Sequence, residues 1–513
     1  MSYASRWYCG GSEIQFLRRI CYITWLSAAA AWAQSPVPEA RAILKELIEI
    51  NTTNPGGSNT LAAQAVAKRF LAAGFESKDV FVGGPSDRKH NLVVRLHGSP
   101  GRKPILLLGH LDVVDALRPD WTTDPFQLME KDGYFYGRGV QDMKSDDSIM
   151  IATLIRIKRE GYRPGRDIIL ALTSDEESGP FNGADWLLKT HRDLIDAEYA
   201  LNADAGGIVT EKGKPHHLSV NAAEKIYADF QFTARNAGGH SSLPSPDNAI
   251  YHLADALARL ARNPFPAELN PITRVYFERI APFEAPERAR DLKAALRNPP
   301  DAEAVRRLSL DLGFNATMRT TCVATRLSGG HANNALPQTA QAVVNCRILP
   351  GHSPAEIERE LERIVNDPAV GILFLDGGTG EPAEPAPDNK GMAPESVRED
   401  FMGPLATLAA RFWPNAPIVP GQSTGASDSK YTRAAGIPSY GFSSMAVDRD
   451  DVRAHGKDER VRVSAFNEGL DFFYLFLKAL TPQPVAARVT VRPRPKDRVS
   501  PDPLLRTTPR IPY

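Results

Sequence analysis

Neither sign of charge is in excess in this chain. Lys plus Arg and Asp plus Glu each total 61 among 513 residues, a formal net charge of zero. Without a basic surplus there is no long-range field of the kind that nucleic-acid binders and basic peripheral membrane proteins use. Cysteine is scarce, at four residues, and no Cys-x-x-Cys spacing occurs. That argues against a structural zinc held by thiolates. The apolar run "ICYITWLSAAAAWA" at residues 20–33 is too short to cross a bilayer comfortably, which takes about 20 residues. What is present is the composition of a globular protein, 42% hydrophobic and 24% charged, in a chain too long for one ordinary core.

The short apolar run does fit an export signal. Arg18 and Arg19 precede it, and "AWAQ" offers a small-x-small site with cleavage after Ala33. The expected location is therefore exported, periplasmic or secreted, with no stable membrane span in the mature form. Cys9 and Cys21 would leave with the leader. Cys322 and Cys346 would remain, as a disulfide, which an exported location permits, or as two free buried thiols; the sequence leaves both open.

From residue 38 to 225 apolar strands such as "KPILLLGHLDVV", "DIILALTSDEESG" and "AEYALNADAGG" alternate with helices such as "SIMIATLIRIKREGY". Strands apolar on both faces indicate an α/β domain with a mostly parallel sheet. Near Lys225 the pattern changes to half-exposed strands. If an insert at roughly 262–319 is set aside, residues 226–394 read β-α-β-β-α-β, the split ferredoxin-like unit. The α/β pattern resumes over 395–480, so a second domain interrupts the first. Residues 481–513 hold eight prolines and seven basic against two acidic residues, the composition of a disordered tail.

The chemistry-bearing residues stand at strand ends. His110 and Asp112 close an apolar strand two positions apart and face the same side. Asp142 follows the glycine-rich "GRGVQD" and precedes a helix, as do Asp146 and Asp147, which the helix dipole accounts for. Glu176 and Glu177 lie in "TSDEESG", Asp204 in "NADAGG" and His455 in "RAHGKDERV". Parallel sheets place their ligand sites at these strand ends. Two histidines and three or more carboxylates meeting there suit a pair of divalent metals with a bridging carboxylate: zinc first, cobalt or manganese as alternatives.

Taken in order, "GHLDVV", "GRGVQDMK", "TSDEESG", "NADAGG", "GGHSSLP" and "AHGKDER" resemble the di-zinc amidohydrolase and carboxypeptidase family. That family includes acetylornithine deacetylase, succinyl-diaminopimelate desuccinylase, aminoacylase, carnosinase and the Gly-Xaa carboxypeptidases. The resemblance runs from about residue 40 to 480. It implies a zinc-peptidase catalytic domain interrupted by a ferredoxin-like lid that forms a homodimer, with two Zn²⁺ per chain. It implies that His110, Asp142 and Asp204 hold one metal and Asp142, Glu177 and His455 the other. It implies Glu176 as general base acting on a metal-held hydroxide, Asp112 orienting His110, and His240 steadying an oxyanion, often from a partner subunit. Asn334 and Arg347 would hold a substrate carboxylate, and Gly425 would contact substrate through its backbone; Asp428 reads as structural. The implied substrate is a small peptide or N-acyl amino acid with a free carboxylate. N-acyl-amino-acid deacylase and aminopeptidase activity are the alternatives within the class. A non-catalytic metal- or peptide-binding protein on the same fold would lack the base or a ligand, and neither is missing. The acid at Asp175 has no assigned role beyond that of a hydrogen-bond acceptor.

Overall fold

A computed structural model of the chain describes residues 35–377, 379–390 and 397–484. The leader expected at 1–33 and most of the tail expected from 481 lie outside these residues. The expected α/β architecture is present, with ten strands in one large sheet. At its centre Ile168–Thr173, Ile105–His110, Tyr199–Asn202 and Ser439–Gly441 run parallel. On one side Asn91–Leu96 pairs antiparallel with Ile168–Thr173; on the other Lys214–Glu224 pairs antiparallel with Ser439–Gly441 and Gly207–Glu211 and parallel with Ile418–Ser423.

Successive residues of a strand face opposite sides, and here both sides are covered. Ile105 and Leu107 join a core that also holds Leu44, Val66, Leu154 and Phe466 from four helices. Leu106 and Leu108 pack instead with Leu187, Ile195 and Ile437. This double burial is why the central strands carry no polar alternation. Among the described residues no helix is long and apolar enough to cross a membrane.

A second sheet has four antiparallel strands in the order Thr321–Gly329, Thr339–Ile348, Ile226–Arg235, Val370–Leu375. That is the second, third, first and fourth strand of the β-α-β-β-α-β run, the ferredoxin-like arrangement. Phe230 and Phe232 point to one face, against Leu253 and Leu361 of the helices Ala249–Arg262 and Pro354–Val365. The second helix starts on a capping box in which the Ser353 hydroxyl accepts the Glu356 N–H and the Glu356 carboxylate accepts the Ser353 N–H, tying up two otherwise unpaired donors.

The insert forms four short helices within residues 271–318 around its own core of Phe277, Leu292, Leu308 and Phe314. Sequence reasoning treats it as an excursion from the lid. Its first helix instead packs against the large sheet: Ile272 joins the main core and the Arg279 guanidinium donates to the Ile418 carbonyl at 2.8 Å.

The cysteine question resolves to a disulfide: Cys322 and Cys346 oppose each other across the antiparallel ladder and are bonded. They lie 24 positions apart, so closing that loop in the unfolded chain is worth about 3 kcal/mol. A Cys322→Ser, Cys346→Ser double variant is expected to lose about that much stability in urea unfolding, and added reductant should then have no further effect.

Candidate metal centre

The acids and histidines gather at the C-terminal ends of the central parallel strands of the large sheet. His110 is the last residue of the strand Ile105–His110, Glu176 and Glu177 follow Ile168–Thr173, and Asp204 follows Tyr199–Asn202. Asp142 lies just before the helix Lys144–Arg159, and His455 lies in the loop ahead of Arg460–Arg462. Asp175 adopts a left-handed backbone, φ 55°, which ends the pleat's alternation. Glu176 and Glu177 are therefore not forced to opposite faces as neighbours on a strand would be.

Asp142 is the centre of the arrangement. Its Oδ1 lies 3.2 Å from His110 Nε2 and its Oδ2 3.2 Å from His455 Nε2. His110 Nε2 is also 3.6 Å from Asp204 Oδ1, and His455 Nε2 is 2.9 Å from Glu177 Oε1. One carboxylate thus faces two half-sites, each completed by one histidine and one further acid. Ligand atoms of His110, Asp142 and Glu177 all lie within 4.8 Å of one another, as do those of His110, Glu176 and Asp204.

The electrostatics show what this cluster lacks. Burial pushes the Glu176 carboxyl well above its usual range, with the neighbouring Asp204 charge adding to it. Burial likewise raises Asp204 to about 7, against the pull of His110. Hydrogen bonds to Asp142 and Glu177 lift His455 to about 10. Burial opposes a charge on His110, but its contacts with Asp142 and Asp204 outweigh burial and raise its pKa well above the imidazole value. In the protein alone, imidazolium protons are the only positive charge among these groups. Divalent cations would replace those protons, and the two-nitrogen, multi-carboxylate donor set suits zinc and its neighbours. The residues present therefore fit a pair of metal ions.

The supporting contacts refine the expected roles. His110 Nδ1 meets the backbone carbonyl of Asp112 at 3.0 Å, while the Asp112 carboxylate is 3.8 Å away. That carboxylate instead accepts the N–H groups of Glu176 at 3.1 Å and Glu177 at 2.9 Å. Asp112 thus orients His110 through its main chain and the two glutamates through its side chain. Asp428 accepts from Thr173 Oγ1 and Asn182 Nδ2, each at 2.6 Å. Asp146 and Asp147 occupy the first helical turn as expected, yet both are buried, and Asp146 accepts from Ser443 Oγ at 2.7 Å.

Two supporting residues escape sequence reasoning. Lys89 forms a buried ion pair with Asp175, which accounts for the third acid of "SDEES". Glu459 is fully buried, pairs with Arg138 at 2.6 Å, and accepts the N–H groups of Gly139, Gln141 and Asp142. It ties the loop carrying His455 to the loop carrying Asp142. Its signal was in plain view, four positions after His455 within "AHGKDER". Glu459→Ala leaves Arg138 without its buried partner, so a destabilisation of about 3–5 kcal/mol is expected in denaturant unfolding, with metal affinity reduced about 10–100-fold by dye-competition titration.

Beside the cluster opens a cleft of roughly 1280 Å³ lined by Glu176, Glu177, His455, Gly425 and Arg347, among others. The Gly425 N–H donates to Ser423 Oγ at 3.1 Å. His240 and Asn334 do not line the cleft. His240 lies on the two-stranded ribbon Gly239–His240/Ala335–Leu336 and Asn334 immediately before its second strand, and both are exposed. The His240 ring is held by Ser242 Oγ at 2.7 Å, and the Ser241 N–H donates to the Asn334 carbonyl at 3.1 Å. The structure brings those two residues to each other, and not to the acids.

The chain is 30% identical over 386 residues to a probable carboxypeptidase S-like 2 of Dictyostelium discoideum, covering 73% of this chain and 71% of that protein. It is 28% identical over 379 residues to the N-fatty-acyl-amino acid synthase/hydrolase PM20D1 of Xenopus tropicalis, covering 72% and 71%. Among solved structures, the M20 family metallo-carboxypeptidase Sso-CP2 of Sulfolobus solfataricus has the same fold, with a TM-score of 0.64 at 17% identity over 86% of this chain and 99% of that one. The pattern of Peptidase family M20/M25/M40 matches residues 106–479, and the chain therefore belongs to that family of metal-dependent hydrolases.

Proposed function

We propose that this protein is an exported di-zinc hydrolase that cleaves an amide bond in a small peptide or N-acyl amino acid bearing a free carboxylate. The observation that carries the reading is Glu176. Its carboxylate borders the cluster, lines the cleft, and has no hydrogen-bond or ion-pair partner among the described residues. The carboxylates of Asp142, Asp204 and Glu177 each face a histidine.

His110, Asp142 and Asp204 would hold one zinc, and Asp142, Glu177 and His455 the other. When bound, such ions acidify water and polarise a carbonyl. The remaining work falls to side chains of this chain. Glu176 takes the proton from the attacking water and later delivers it to the leaving amine. Asp112 keeps Glu176 and Glu177 in place by binding their N–H groups. Arg347 lines the cleft, and its guanidinium suits a substrate carboxylate. His240 and Asn334 would reach a cleft from the lid of a second copy in a homodimer; their exposure on one ribbon supports that placement.

The names of the relatives support both a carboxypeptidase and an acyl-amino-acid hydrolase. These differ in whether an acyl cap or a free amine lies beyond the scissile bond. The Cys322–Cys346 disulfide supports an oxidising location. The test is the zinc- or cobalt-loaded protein assayed against capped and uncapped dipeptides and N-acyl amino acids, each as free acid and as carboxamide. Hydrolysis of free acids in preference to carboxamides is expected. Hydrolysis of none of them would overturn the reading.

A further inference from the structure

The wall of the cleft away from the acids carries a second charge imbalance, of the opposite sign. Lys225 joins the strands Lys214–Glu224 and Ile226–Arg235, which belong to the large and small sheets respectively. Its side chain is buried, with 1% of the residue exposed, and it lines the cleft. Its ammonium makes one hydrogen bond, to Thr321 Oγ1 at 3.3 Å. Thr321 is the direct cross-strand partner of Arg347, so lysine and guanidinium meet at the same point of the wall.

Neither cation has an acid within 4.0 Å among the described residues. Glu224, next in sequence to Lys225, is taken by Arg433 at 3.2 Å and by Ser427 at 2.5 Å. Asp229, on the same wall, is occupied by the Tyr227 hydroxyl at 2.7 Å and the Asn345 amide at 2.8 Å. Tyr227 thereby becomes a fixed platform, and the Arg347 guanidinium lies over its ring at 4.7 Å.

An ammonium has three donors, and a buried cation with unfilled donors and cationic neighbours is costly. Burial, followed by the charges of Arg347 and Arg319, lowers Lys225 to about 8. An anion between lysine and guanidinium would relieve all of this at once.

We infer that Lys225 is a specificity-determining residue which, together with Arg347 on its Tyr227 platform, grips the free carboxylate of the substrate. The inference rests on the free-carboxylate reading above and adds to it a second cation from the join between the two sheets. Lysine supplies a point charge and arginine a planar fork, so together they distinguish a carboxylate from a carboxamide of nearly the same shape.

The test uses the full metal-loaded chain with one N-acyl amino acid as free acid and as carboxamide. Lys225→Met is expected to raise KM for the free acid by about 10–100-fold, the worth of a hydrogen bond to a charged group. kcat and the KM of the carboxamide should be unchanged, and Lys225→Arg should recover most of the loss. Calorimetric titration with the released amino acid should show the same order of affinities, with unfolding midpoints unchanged. A preference for the free acid that survives Lys225→Met intact would overturn the assignment of Lys225 alone. Wild-type protein that cleaves acid and carboxamide equally would overturn the free-carboxylate reading beneath it.

Discussion

Glu176→Gln is expected to lower kcat by about 10²–10⁴-fold, the usual worth of a positioned general base, while KM and metal content stay near wild type. The substitution keeps the size of the side chain and removes its charge and its ability to take a proton. Glu176 makes no side-chain bond that the change would break, and its N–H remains held by Asp112. Metal retention is expected because the four groups gathered around Asp142, namely His110, Asp204, Glu177 and His455, do not include it. Steady-state kinetics with parallel elemental analysis separates the two effects. Near-normal turnover would remove Glu176 from the chemistry, and lost metal would make it a ligand instead.

Asp142→Ala is expected to have the larger effect on the centre itself. Both oxygens of this carboxylate are engaged, one toward His110 and one toward His455, so a single substitution removes a ligand from each half-site. Loss of a supporting contact one layer out costs about 10–100-fold in metal affinity; loss of a shared ligand should exceed that for both ions and abolish measurable turnover. Asp204→Ala touches only the His110 half and Glu177→Ala only the His455 half. Each is expected to weaken one ion and spare the other. If Asp142→Ala weakened only one of two bound ions, its bridging position would be wrong.

The five residues proposed as ligands were legible because each carries a local signature: the end of an apolar strand, a flanking glycine, or the start of a helix. What lies beneath them was not. The pair Lys89–Asp175 spans 86 positions, and Glu459 reaches the Asp142 N–H across 317. Neither half of such a contact looks unusual alone, and burial, which makes the pairing necessary, is not visible in one sequence. The two-residue spacing of His110 and Asp112 placed them together but not which atom of Asp112 would do the work. Two unsatisfied N–H groups on the neighbouring loop draw the carboxylate away and leave the carbonyl to the imidazole.

The same limit applies to the fold. The parallel centre of the large sheet shows in runs such as "ILLLGH" and "IILALT". The flanking strand Lys214–Glu224 does not, because "KPHHLSVNAAE" mixes polar and apolar residues along a strand that is exposed at one end and buried at the other. The ferredoxin-like unit was readable from half-exposed strands such as "IYADFQFTAR". The docking of the helix Pro271–Ile280 on the large sheet was not, since it depends on a few side chains such as Ile272 and Arg279.

If the Asp142 carboxylate organises two metal sites, the number of bound ions follows from its position. Wild-type protein dialysed against zinc without chelators and analysed for metal and protein is expected to hold two ions per chain. One ion or none would rule out a bridging role for Asp142.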